Sequence, residues 1–112
     1  MSYTLTEVAN ADLDGILRYG IKVWGQDSAI VYFRALIAEI DICAQNPEIG
    51  LKIPGFEPEC RSWLAKDYVI FYRKRESDIE VFRVAHQKSD ILKWLRKQKN
   101  LDPHQPTLTP AG

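Results

Sequence analysis

Between residues 47 and 60 the hydrophobic pattern of this chain changes its period from 3.6 residues to 2. Upstream, Leu13, Ile16, Leu17, Gly20 and Val23/Trp24 recur three and four residues apart and share one helix face. Ile30, Phe33, Leu36, Ile37, Ile40 and Ala44 do the same in a second run. Downstream, residues 60–65 (CRSWLA) and 79–86 (IEVFRVAH) alternate as strands do, and residues 68–73 (YVIFYR) are apolar on both sides, as in a central strand. Helices with one apolar stripe must cover something, and here the sheet is the only surface on offer. The period change therefore implies a two-layer α+β domain.

Local signals set the boundaries. Residues 2–6 (SYTLT) alternate as a short strand, and Thr6 or Asn10 can cap the first helix. Gly25 closes that helix, Asp27 or Ser28 can cap the next, and Asn46-Pro47 ends it, because proline disfavours helical geometry in the residue before it. Two long helices with so short a connection form an antiparallel hairpin. Residues 48–59 (EIGLKIPGFEPE) hold two prolines and two glycines and read as a loop. Lys66-Asp67 and residues 74–78 (KRESD) are short enough to make the three strands an antiparallel meander. From Gln87 the pattern is helical again, with Ile91, Leu92 and Leu95 on one face. The expected fold is thus α+β, an antiparallel sheet (N-terminal strand plus three-strand meander) packed against a helical hairpin, with a short C-terminal helix. Residues 1–99 make one domain, and residues 100–112, with three prolines and little to bury, make a flexible tail.

Composition removes several function classes. A chain of 112 residues supports one core. No apolar run approaches the ~20 residues that cross a bilayer, and the amino terminus lacks a basic-then-apolar leader pattern. The expected location is the cytoplasm, with no membrane partner. Cys43 and Cys60 lack CxxC spacing and read as free thiols, and no HExxH element is present, so neither a metal nor a cofactor is expected. Charge is unevenly spread. Residues 1–50 carry Glu7, Asp12, Asp14, Asp27, Glu39, Asp41 and Glu48 against Arg18, Lys22 and Arg34. From 83 to 99, Arg83, Lys88, Lys93, Arg96, Lys97 and Lys99 face Asp90 alone. Such a basic end suits a phosphate backbone or an acidic protein surface, and equally a solvated helix face.

Catalytic signals are sparse. Ser62, Ser77 and Ser89 lie in no nucleophile elbow, and no Gly-rich phosphate loop exists. In a regular strand Arg83 shares a face with Ile79, Val81 and Ala85, whereas His86 lies opposite with Phe82 and Val84, so the two do not converge unless a bulge intervenes. Trp94, set among Lys93, Arg96 and Lys97 and one position off the Ile91/Leu95 face, suits either a partner anchor or packing over the sheet edge.

The ordered set of residues resembles a known family. Tyr3-x-Leu5-Thr6, Ala11-Asp12-Leu13, Ile16, Tyr19-Gly20 and Trp24-Gly25 are followed by Asn46-Pro47-x-x-Gly50 and Cys60-Arg61. Tyr68-x-Ile70-Phe71-Tyr72-Arg73, Ile79-Glu80, Arg83-Val84-x-His86 and Asp90 complete it. Over residues 3–95 this is similar to ParE-type toxins of the RelE/ParE superfamily, the toxins of bacterial type II toxin–antitoxin modules. The resemblance implies a helical hairpin against an antiparallel sheet. It also implies a ParD-like ribbon-helix-helix antitoxin as partner, with operator DNA bound only indirectly through that antitoxin. ParE-type members poison DNA gyrase; RelE-type members cut mRNA on the ribosome with clustered cations and a C-terminal tyrosine. Ser62, Leu64 and Val69 stand where RelE-like chains carry cations, and no tyrosine follows Tyr72. The favoured reading is therefore a non-enzymatic gyrase poison with no catalytic residues, contacting its target through Lys93, Trp94, Arg96 and Lys97. The alternatives are a ribosome-dependent endoribonuclease using Arg61, Arg73, Arg83 and His86, or a degenerate toxin that only binds its antitoxin.

Overall fold

The computed structural model describes residues 2–56 and 58–89. Strand β1 (Ser2–Leu5) leads into helix α1 (Glu7–Trp24) and helix α2 (Gln26–Gln45), followed by β2 (Leu51–Lys52), β3 (Arg61–Ala65), β4 (Tyr68–Lys74) and β5 (Asp78–His86). The expected C-terminal helix, the tail and the domain boundary at 99/100 lie outside the described residues.

Thr6 joins the first strand to the first helix. Its hydroxyl oxygen accepts from Ala9 N–H (3.1 Å) and donates to Phe82 O (3.3 Å), while its own N–H donates to Val81 O. The N-cap is thereby stitched to β5, on the far side of the sequence. Gly25 is at once the last cap of α1 and the first of α2, with φ +92° and ψ 162°. Only glycine reaches that backbone region without strain. Its N–H closes α1 on Ile21 O and its carbonyl opens α2 on Ala29 N–H, so one residue reverses the chain. The expected caps Asp27 and Ser28 lie inside α2 instead.

The sheet corrects the antiparallel expectation. It has five strands in the order β1-β5-β4-β3-β2 and is mixed, because β1 runs parallel to β5 in the register Tyr3↔Ile79 to Leu5↔Val81. The reason is the crossover: β1 is separated from β5 by the whole hairpin and three further strands, so no short turn forces them antiparallel. The remaining pairs, β2–β3, β3–β4 and β4–β5, are antiparallel. The fifth strand, β2, arises within the segment expected to be loop, held by Leu51↔Ser62, Lys52↔Arg61 and Ile53 N–H to Cys60 O at 2.9 Å.

The main core lies between helices and sheet, built from Ala9, Leu13, Leu36, Ile40 and Cys43 against Ile70, Tyr72, Ile79, Val81 and Val84. A smaller cluster on the other sheet face joins Phe71 and Ala85 to Ile53, Phe56, Val69 and Phe82. Tyr72 explains the Asn46-Pro47-x-x-Gly50 pattern. Its buried hydroxyl donates to Pro47 O (2.9 Å) and accepts from Gly50 N–H (2.9 Å), clamping the chain as it leaves α2. A Cβ at Gly50 would sit 2.7 Å from that hydroxyl and 2.9 Å from Ser62 O, so the approach requires glycine.

Candidate functional site

The bulge that sequence alone did not demand is present. Val81 pairs with Tyr72, but Arg83 pairs with Phe71, leaving Phe82 as an extra residue in β5. The insertion reverses the alternation beyond it. Val84 returns to the helix-side core with Ile79 and Val81, whereas Ala85 joins Phe82 on the opposite face. The expected grouping of Arg83 with Val81 and of Val84 with Phe82 is thereby corrected.

Beyond Leu5 the β1 edge of β5 is open, and Asp12 from α1 fills it. One carboxylate oxygen, Oδ2, accepts from both Val84 N–H and Arg83 Nε at 2.9 Å. The carboxylate satisfies a strand-edge donor and holds the guanidinium at the helix–sheet junction, in partly buried surroundings. The sequence shows Asp12 as one acid of the first half and as part of the family pattern, without its partner. Its signal was an acid set one residue before core Leu13, on a helix flank that must meet the sheet.

Arg83 and His86 therefore line one groove of about 520 Å³, with Asp12, Tyr19 and Tyr68. The His86 ring meets Tyr68 edge-on at 5.4 Å, and its Nδ1 accepts from Lys88 N–H at 3.1 Å. Burial raises the Tyr68 phenol above its ordinary pKa, and its neighbours Tyr19 and Asp67 add to the shift. The groove thus offers one exposed imidazole, one guanidinium already paired with Asp12, and a phenol that resists ionisation.

The other two arginines of the endoribonuclease alternative stand elsewhere. Arg61 Nη1 donates to Glu48 O (3.0 Å) and Gly50 O (2.7 Å), and its Nε lies 2.6 Å from Glu59. It ties the 48–50 segment to β3. Arg73 lies over the Phe82 ring at 5.1 Å, with Nε 3.5 Å from Glu80 Oε1. That buried Nε has no hydrogen-bond partner among the described residues. Each arginine is engaged with a neighbour of its own, and the four residues do not form one cluster. Lys93, Trp94, Arg96 and Lys97 lie outside the described residues.

Both thiols are buried. Burial, with the nearby Glu39 charge, pushes Cys43 up to about 12, and burial raises Cys60 as well. Neither is a nucleophile at neutral pH. No group of three metal-ligating side chains occurs among the described residues.

Comparison with known proteins agrees with this geometry. The model of a family described as ParE toxin of type II toxin-antitoxin system, parDE, matches residues 3–91. Toxin ParE1 of Mycobacterium tuberculosis is 38% identical over 90 residues, spanning 80% of this chain and 92% of that protein. Toxin ParE1 of Caulobacter vibrioides is 35% identical over 85 residues, spanning 76% and 88%. A chain in the structure titled chromosomal ParDE TA system from P. aeruginosa superposes with a TM-score of 0.65 over 77% of this chain and 95% of that one; at 22% identity the likeness is one of fold.

Proposed function

This chain belongs to the ParE toxin family of type II toxin–antitoxin systems, and on that premise we propose that it acts by binding DNA gyrase and stalling it rather than by catalysis. One observation carries the proposal: the cations that an RNA-cleaving reading requires are dispersed and committed. Arg61 holds backbone carbonyls, Arg73 stacks on Phe82, and Arg83 is neutralised by Asp12. General acid–base cleavage of a phosphodiester needs converging groups, with cations free to meet developing charge. A binding toxin needs neither.

The partner that neutralises it is a ParD-like ribbon-helix-helix antitoxin, through which operator DNA is contacted, and the site of action is the cytoplasm. The surface offered to gyrase is the basic segment with Lys93, Trp94, Arg96 and Lys97. One observation favours the endoribonuclease alternative, namely that Arg83 and His86 do line a common groove. The test pairs two assays on the purified chain. With gyrase, DNA and ATP, cleaved DNA–gyrase complex should accumulate and disappear on adding antitoxin. On translating ribosomes the mRNA should stay intact. Cut mRNA that becomes whole with Arg83→Ala or His86→Ala would replace the binding reading with the enzymatic one. No effect in either assay from folded protein that still binds antitoxin would leave the degenerate toxin.

A further inference from the structure

Helix α2 is apolar on two opposite faces. Its inner face, with Leu36, Ile40 and Cys43 fully buried, lies in the core between α1 and the sheet. At about 100° per residue, Val31, Ala35, Ala38 and Ile42 fall together on the reverse side. They follow the 4-3-4 spacing of a coiled-coil seam over a length of about 16 Å. Val31 is 68% exposed and Ile42 37%. A surface helix of a lone domain carries polar residues there, so this seam is a face without a partner among the described residues.

The flanking charges specify what fits it. Arg34 and Asp41 border the same side of the seam, both are exposed, and neither forms an ion pair among the described residues. When two copies of α2 are laid antiparallel about an axis between Ala35 and Ala38, Val31 meets Ile42 of the second copy and Ala35 meets its Ala38. Arg34 then faces Asp41 of the second copy, and the two-fold axis repeats every contact. The paired alanines let the backbones approach closely, and the larger residues close both ends. A parallel pairing would instead aim Arg34 at Glu39, whose carboxylate already accepts from Trp63 Nε1 at 2.9 Å. Beside Val31 and Ala35 lies a groove of about 790 Å³ walled by Trp24 and Tyr32, and the antiparallel alignment delivers Ile42 of the second copy to it.

We propose that this chain self-associates through the outer face of α2 as an antiparallel two-fold pair, with Val31, Ala35, Ala38 and Ile42 as the seam and Arg34–Asp41 as its two ion pairs. The surface is separate from the Arg83/His86 groove and does not depend on the choice of target. The seam is short, so the pair is weak and reversible, with a dissociation constant on the order of 10 μM.

Sedimentation velocity on the purified full chain, over roughly 1–100 μM to bracket that constant, is the test. The monomer–dimer equilibrium should shift to monomer with Val31→Arg. Arg34→Glu and Asp41→Arg should each weaken it about tenfold, since each sets like charges against one another twice. The double variant Arg34→Glu/Asp41→Arg should restore it. All of these positions are exposed, and unchanged circular dichroism verifies the fold of each variant. A wild-type chain that stays monomeric throughout overturns the proposal, as does a dimer indifferent to Val31→Arg or a double variant that fails to recover. Should the wild type be monomeric while Val31→Arg loses its antitoxin, the seam belongs to the antitoxin and not to a second copy.

Discussion

Replacing Tyr72 by phenylalanine removes one oxygen atom, and the structure gives the cost. The hydroxyl accepts from Gly50 N–H and donates to Pro47 O, both at 2.9 Å, and the Gly50 N–H is buried. Each bond contributes about 1 kcal/mol net, and a buried donor stripped of its acceptor costs about 1–3 kcal/mol. A small gain from the more apolar ring offsets part of this, leaving a loss of about 2–3 kcal/mol. For a domain of this size that lowers the midpoint by roughly 10–20 °C. Thermal and urea unfolding followed by circular dichroism would measure it, with Tyr19→Phe as control. Tyr19 is 58% exposed, so its hydroxyl should matter by less than about 0.5 kcal/mol. Gly50→Ala offers a second handle, because its new Cβ meets the same hydroxyl at 2.7 Å. Its penalty should be smaller in the Tyr72→Phe background, where that oxygen is gone, so the two changes are non-additive. A Tyr72→Phe protein as stable as wild type, or strict additivity with Gly50→Ala, would refute the clamp.

Asp12→Ala should destabilise the fold by about 2–3 kcal/mol, since it strands the Val84 N–H and removes the carboxylate to which Arg83 Nε donates; Arg83→Ala leaves the Val84 bond and should cost less, and urea midpoints rank the two. Alkaline pH should weaken the fold through Cys43. The unfolded thiol ionises near 9, whereas the folded one keeps its proton up to about 12, so stability present below pH 9 falls as pH rises between the two values. The slope is at most about 1.4 kcal/mol per pH unit from this group. Urea melts from pH 8 to 10.5 should show a shallower decline for Cys43→Ala, and parallel curves would contradict the assignment. Charge reversal at Lys93, Arg96 and Lys97 should abolish toxicity while leaving the antitoxin complex intact, as read by growth arrest and co-purification; undiminished toxicity would remove these residues from the target surface.

What the sequence made legible follows from which contacts are local. The two helices, the end of the first at Gly25 and the stop at Asn46-Pro47 depend on neighbours in sequence and were readable, whereas the start of α2 directly after Gly25 was not. Strand β2 was not, because two residues in a segment rich in proline and glycine become a strand only by pairing with β3. The direction of β1 was hidden for the same reason, since its partner β5 lies more than seventy residues away. The Phe82 bulge is set by the registers on either side of it, and Arg83 reaches the groove that holds His86 through Asp12 at the open edge of β5, a contact between residues about seventy positions apart. Candidate arginines could be named from sequence, but their partners Asp12, Glu59 and Glu80 could not. Trp24 and Val23 were grouped with the α1 core by periodicity, yet each is about half exposed.

The claim that this protein works by binding is tested most directly by stoichiometry. Gyrase at fixed concentration, with ATP and relaxed plasmid, would be titrated with the purified chain while supercoiled product and cleaved complex are followed together. A binding toxin stops supercoiling and traps cleaved DNA in proportion to its own amount, with the effect complete only near molar equivalence with gyrase. Full inhibition by a small fraction of an equivalent would mark turnover, and supercoiling untouched at a large excess would remove gyrase as the target.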